Sequence, residues 1–199
     1  MRRRSKGGIS FARRDMLDVL KGAGEVDSDV ILDFRDYLEQ LDAAVSSFQT
    51  LPPQSWTGAA WQGFFEIVKA EFSDANWDYV PNAIGGFMGL WWNWRTVPGG
   101  QVYLRLEEDK LVAKVEAAAN NSEDRAALRD RWSKRVVAST SSVRFERPPR
   151  FGNGTTMTVA VSAAPYLQTR SDGRLDLQMT LQVLQRASRE ISQIAHEWR

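Results

Sequence analysis

The residues from Gly85 to Arg95, Gly-Gly-Phe-Met-Gly-Leu-Trp-Trp-Asn-Trp-Arg, hold three of the chain's eight tryptophans. As a strand, their alternation puts Met88, Leu90, Trp92 and Trp94 on one face and Phe87, Gly89, Trp91, Asn93 and Arg95 on the other. Both faces carry bulk. Such a strand lies in a sheet covered on two sides, or offers an aromatic face to another domain, a second subunit or a nucleic acid base. Phe87, Trp91, Trp92 and Trp94 are therefore expected in a core or at an interface, and core packing is the commoner use of buried aromatics.

The run stands where the hydrophobic period changes. Before it, Val30, Ile31, Phe34, Leu38, Leu41, Val45 and Phe48 recur at three- and four-residue spacing behind Asp27-Ser28-Asp29. This spacing predicts a capped helix of about five turns with one buried stripe. Pro52-Pro53 ends it. A shorter helix is expected from Phe11 to Leu20, stopped by Gly22 and Gly24. A third follows from Thr57, with Trp61, Phe64, Phe65, Val68 and Phe72 inward.

From Trp77 the period is two. Pro98-Gly99-Gly100 turns the chain, Val102, Leu104 and Leu106 alternate with polar residues, and Leu111, Ala113 and Val115 do the same across a charged tip at Glu107-Glu108-Asp109-Lys110. With the aromatic strand these predict a three-stranded antiparallel meander. A helix is expected from Ser122, as its cap, to Val137, with Glu123 and Asp124 at its start and Lys134 and Arg135 at its end. Strands are expected at 143–147 and 155–161. A long final helix follows the turn at Ser171-Asp172-Gly173, with Leu177, Leu181, Leu184, Ile191, Ala195 and Trp198 on one stripe. The expected fold is α+β in a single domain, 1–199. In it an N-terminal helical layer (1–75) and the C-terminal helix pack on a mostly antiparallel sheet of four to five strands.

Composition narrows the chemistry. The 199 residues include no cysteine and a single histidine, His196, which excludes disulfides, thiolate metal sites and a histidine relay. No cofactor and no metal are expected. The apolar runs are too short for a membrane span, and the basic start, Met1 to Gly8, lacks the apolar stretch of a secretory signal, so a cytoplasmic protein is expected. Net charge is +1, yet positive residues cluster. From Glu123 to Arg150 there are eight bases against four acids. Arg125, Arg129 and Arg135, with Trp132 on an adjoining face, make a candidate stripe for phosphates and stacked bases of DNA. A solvated helix face with intrahelical pairs such as Asp130 and Lys134 explains the same residues.

The order of landmarks resembles the C-terminal half of bacterial proteins of the PD-(D/E)XK nuclease superfamily. The likeness is carried by Trp56 and Trp61, Gly86 to Trp92, Tyr103-Leu104-Arg105-Leu106 and Lys110 to Val115, then by Arg125, Arg129 and Trp132. It continues through Pro148 to Arg150, Gly154 to Val159 and Asp172 to Leu177. What the resemblance implies is negative as well as positive. Those nucleases hold Mg²⁺ with an acidic residue and an Asp or Glu two positions before a Lys on a neighbouring strand. That core would lie upstream of the matching region. The resemblance thus implies a noncatalytic C-terminal portion that docks nucleic acid or a nuclease core, from a truncated or split gene or with the catalytic part on another chain. A small Mg²⁺ nuclease built from Asp78, Glu108 and Lys110 is a weaker alternative, because Glu108 and Lys110 fall at an expected hairpin tip. The other alternative is a free-standing interaction module that uses the aromatic strand and the terminal helix stripe.

Overall fold

The computed structural model describes residues 13–22, 28–83, 85–118 and 121–198. The basic start, Phe11 and Gly24 of the first expected helix and Asp27 of the second helix's cap lie outside them. Three helices come first: α1 (Arg13–Gly22), α2 (Asp29–Ser46) and α3 (Gly58–Glu71). A six-stranded antiparallel sheet follows, built from β1 (Asn76–Asn82), β2 (Gly85–Val97), β3 (Gly100–Glu107), β4 (Lys110–Ala117), β5 (Phe145–Glu146) and β6 (Thr156–Ser162). Helix α4 (Ser122–Ser139) lies between β4 and β5, and α5 (Leu177–His196) closes the chain. The class is α+β, as expected.

The sheet order is β1-β2-β3-β4-β6-β5, so the meander has four strands, not three, and the sheet six strands rather than four or five. The added strand is β1, which holds Pro81 and pairs only with β2. Proline cannot donate to a ladder and is tolerated at a sheet edge. The strand expected at 143–147 shrinks to the two residues of β5, bounded by Pro148-Pro149.

Alternation sends Leu90 and Trp92, Val102, Leu104 and Leu106, Leu111, Ala113 and Val115, and Met157 and Val159 to one face. There they form one core with Phe64 and Phe65 of α3, Leu128 and Trp132 of α4, and Leu184 and Ile191 of α5. Helix α3 starts at Thr57, whose hydroxyl accepts the Ala60 N–H, and α5 starts at Asp176, whose carboxylate accepts the Met179 N–H. The cap of α4 is Asn121, which accepts the Asp124 N–H, and not Ser122.

The stripe of α2 departs from expectation. Of its apolar positions only Leu38 is buried within the helix, with Phe48 in the turn that follows, while Val30 is 76 % exposed and Phe34 43 %. Helix α3 packs on the later turns, and α1 leaves the first two uncovered. The close packing rests on Gly63, where a Cβ would collide with the Val45 carbonyl oxygen. Gly63→Ala should cost about 1–3 kcal/mol by overpacking, read as a lower urea midpoint. An unchanged midpoint would show that α2 yields at no cost.

Candidate functional site on the aromatic strand

Strand β2 does not keep its alternation. The register with β3 shifts between Trp92 and Arg95, and Asn93 takes a left-handed φ of 62°. The extra residue turns the pattern over, as a bulge must. Trp92, Asn93 and Arg95 all face the helices, and Trp94 is sent to the opposite face, where it stacks on Tyr103 at 3.9 Å and 16°. The expected sharing of a face by Trp92 and Trp94, and by Trp91, Asn93 and Arg95, is thereby corrected. Trp92 is fully buried, and its Nε1 donates to Ser188 Oγ at 2.7 Å.

The face away from the helices carries Phe87, Gly89, Trp91 and Trp94 of β2, Tyr103, Arg105 and Glu107 of β3, and Val112 and Lys114 of β4. None of these belongs to the hydrophobic core cluster, although Gly89, Tyr103, Val112 and Lys114 are buried. Phe87, Trp91 and Trp94 are half-buried. Gly89 leaves room for the Arg105 guanidinium, since a Cβ there would come within 3.3 Å of Nε. The guanidinium lies 4.8 Å over the Phe87 ring, a cation–π contact.

Glu107 stands between the two cations, with Oε1 at 3.6 Å from Arg105 Nε and 3.5 Å from Lys114 Nζ. Lys114 Nζ also donates to Thr158 Oγ1 at 3.2 Å. Burial, opposed by Glu107 and aided by Arg105, pulls the Lys114 pKa below the ordinary lysine value. Burial pushes Tyr103 up to about 12, so it is a neutral donor at any physiological pH. Arg105 Nε and Nη2 are buried without a hydrogen bond, the Glu107 contact being an ion pair beyond hydrogen-bond length. With Asp78, Glu116 and Lys110 at the margins, the part of the face on β1 to β4 holds three acids and three bases.

The structure separates the residues of the basic stripe. Trp132 is fully buried, its ring 4.5 Å from that of Trp198, and cannot take a base. It completes a stripe with Leu128 and Val136 at four-residue spacing, a signal of burial that the sequence already carries. Arg129 donates to the Gly152 carbonyl at 2.7 Å and lies over Phe151, and Arg135 pairs with Glu197 at 3.6 Å. Arg125 is half-buried. The exposed cations of α4 are Arg131 and Lys134, which line an open hollow of about 670 Å³ beside Trp198. Trp198, half-buried with Arg131 at 5.8 Å and Arg135 at 5.4 Å from its ring, is the aromatic residue beside these cations, which sequence reasoning placed only on the α5 stripe.

The set Asp78, Glu108 and Lys110 does not converge. Glu108 sits in the β3–β4 turn with φ 51°, and its carboxylate accepts the Met88 N–H at 3.2 Å. Lys110 stands opposite Glu107 instead. Among the described residues no three His, Asp or Glu side chains gather to hold a metal, and no helix is long and apolar enough to cross a membrane. No family model, curated protein or solved structure matches this chain.

Proposed function

We propose that this chain is a noncatalytic docking module that pairs with a second copy of itself through the open face of its sheet. The observation that carries the reading is the row of half-buried aromatics, Phe87, Trp91 and Trp94, around the Arg105–Glu107–Lys114 group on a face outside the core. Tryptophan, tyrosine and arginine are the residues that dominate binding energy at protein interfaces. Equal numbers of acids and bases on one face suit an isologous contact, in which each copy meets the other's opposite charges. Five long strands at about 4.8 Å spacing and about seven residues at 3.3 Å rise span roughly 550 Å². This is below the roughly 800 Å² per partner of a standard interface, so the association is expected to be weak, in the micromolar range. Sedimentation of the wild type beside a Trp91 variant tests it.

A second reading keeps the nucleic-acid expectation and moves it on α4. Arg131, Lys134 and the edge of Trp198 around their open hollow combine exposed charge with an aromatic ring, the two parts that a single strand requires. Replacing Arg131 and Lys134 by Gln should flatten the salt dependence of single-stranded DNA binding by up to about two units, one for each phosphate no longer neutralised. Arg186→Gln, on exposed α5 surface, should leave the slope alone. Equal losses from both sets, or no binding at low salt, would leave the α4 cations as a solvated face. The nuclease-like setting enters this reading only through the resemblance.

A further inference from the structure

On the helix side of the bulge a cleft of about 410 Å³ opens between β2, the end of α3 and α5, with Asp74, Asn93, Arg95, Ser188, Arg189 and Ser192 in its wall. Beyond Arg95 and Ser192 a second hollow of about 230 Å³ runs on to His196. We propose that this cleft binds a small phosphomonoester, with Arg95 as its anchor. The proposal is independent of the open sheet face.

Arg95 is half-buried and held in place: its Nε donates to Ser192 Oγ at 3.1 Å and its Nη1 to the Trp94 carbonyl at 2.8 Å. No carboxylate lies within ion-pair distance of it among the described residues. A guanidinium has five N–H donors, so more than half of this one's fork is left for a ligand. Phosphate takes such a fork through two parallel hydrogen bonds.

The wall supplies the rest of an anion site. Arg189, Ser192 and His196 succeed one another at three- and four-residue spacing on one side of α5, which aligns them along the groove. Arg189 and His196 are exposed and enter no ion pair among the described residues. The two acids of the cleft are engaged: Asp74 accepts the Trp94 N–H at 3.1 Å, and Glu71 accepts Gln185 Nε2 at 2.6 Å. Phe72, half-buried with its ring 5.4 Å from that of the buried Trp92, adds an apolar wall for the organic part of the ligand.

The bulge holds this geometry. Asn93, 4 % exposed at φ 62°, donates through Nδ2 to the Ser188 carbonyl at 3.0 Å and accepts from Ser192 Oγ at 2.9 Å. Asparagine is among the few non-glycine residues that take a left-handed φ readily. Here it locks the hydroxyl that orients Arg95.

The test is a ¹H–¹⁵N NMR titration with phenyl phosphate, and with inorganic phosphate, at constant ionic strength in chloride. The expected result is saturable shifts confined to residues 93–95 and 188–196 and to the Arg95 Nε–H, with phenyl phosphate the tighter of the two. Arg95→Gln should raise the Kd at least about tenfold, the worth of a charge-assisted fork. Arg189→Gln, at an exposed position that leaves the fold intact, should raise it about threefold. Shifts that do not saturate, that spread equally to Arg131 on α4, or that keep the same Kd in Arg189→Gln and in any folded Arg95 variant would overturn the site. Equal affinity for the two probes would overturn the phosphomonoester assignment.

Discussion

Trp92→Ala should lose about 3–5 kcal/mol of folding stability, the cost of emptying a core site of its largest side chain. Trp92 is fully buried at the joint of β2, α3 and α5, against Phe72 at 5.4 Å. Its indole N–H is bound at 2.7 Å by Ser188 Oγ, whose own proton goes to the Leu184 carbonyl at 2.8 Å. Removing the ring therefore opens a cavity and leaves that hydroxyl short of a donor. Trp92→Phe keeps most of the volume and should lose only part of that stability, mainly the hydrogen bond and the residual void. Domains of this size hold about 5–15 kcal/mol in all, so the alanine variant should unfold at a far lower urea concentration. An unchanged midpoint would mean that the aromatic strand does not anchor α5.

The elements that are legible in the sequence are those whose apolar pattern is satisfied inside one chain. Trp61, Phe64, Phe65 and Val68 mark the inner face of α3, and Leu184, Ile191 and Ala195 that of α5, as their spacing predicts. The β3–β4 hairpin is equally plain, with Leu104 opposite Ala113 and Glu107 opposite Lys110 at the tip. The bulge at Asn93 has one mark in Trp-Trp-Asn-Trp-Arg, the asparagine itself, which takes a left-handed φ more readily than other non-glycine residues, but strict alternation passes over it. Only the pull of Asn93 and Arg95 toward Ser188 and Ser192 fixes it. Trp132 is misplaced on the outer side of α4 when its arginine neighbours are weighed above the Leu128, Trp132, Val136 spacing.

The stripe of α2 shows the converse limit. Periodicity reports that a face is apolar, not that this chain covers it, and Val30, Ile31 and Phe34 remain exposed on α2 beside Met16 and Val19 of α1. Among the described residues these two surfaces, on α1–α2 and on the sheet, are left uncovered and differ in character. The α1–α2 surface is apolar, and α2 also carries Asp29 and Asp33 and the ion pairs Arg35–Asp36 and Lys21–Glu39. The sheet face is aromatic and balanced in charge. Aromatic anchors beside balanced charge favour the second as a contact between identical copies.

Sedimentation equilibrium of the wild type, Trp91→Lys and Val30→Lys tests the proposed pairing most directly. Trp91 is half-buried on the open face, on β2 and opposite Arg105 of β3. A lysine there would bring an unpaired charge next to a guanidinium and remove an aromatic anchor, an effect of the order of 2 kcal/mol or more at an interface centre. The predicted result is a wild-type dimer with a dissociation constant of roughly 1–100 µM, a monomeric Trp91→Lys protein that still melts cooperatively, and a Val30→Lys protein that dimerises as the wild type does. A wild type that stays monomeric across that range, or a dimer broken by Val30→Lys and untouched by Trp91→Lys, would contradict the sheet face as the docking surface.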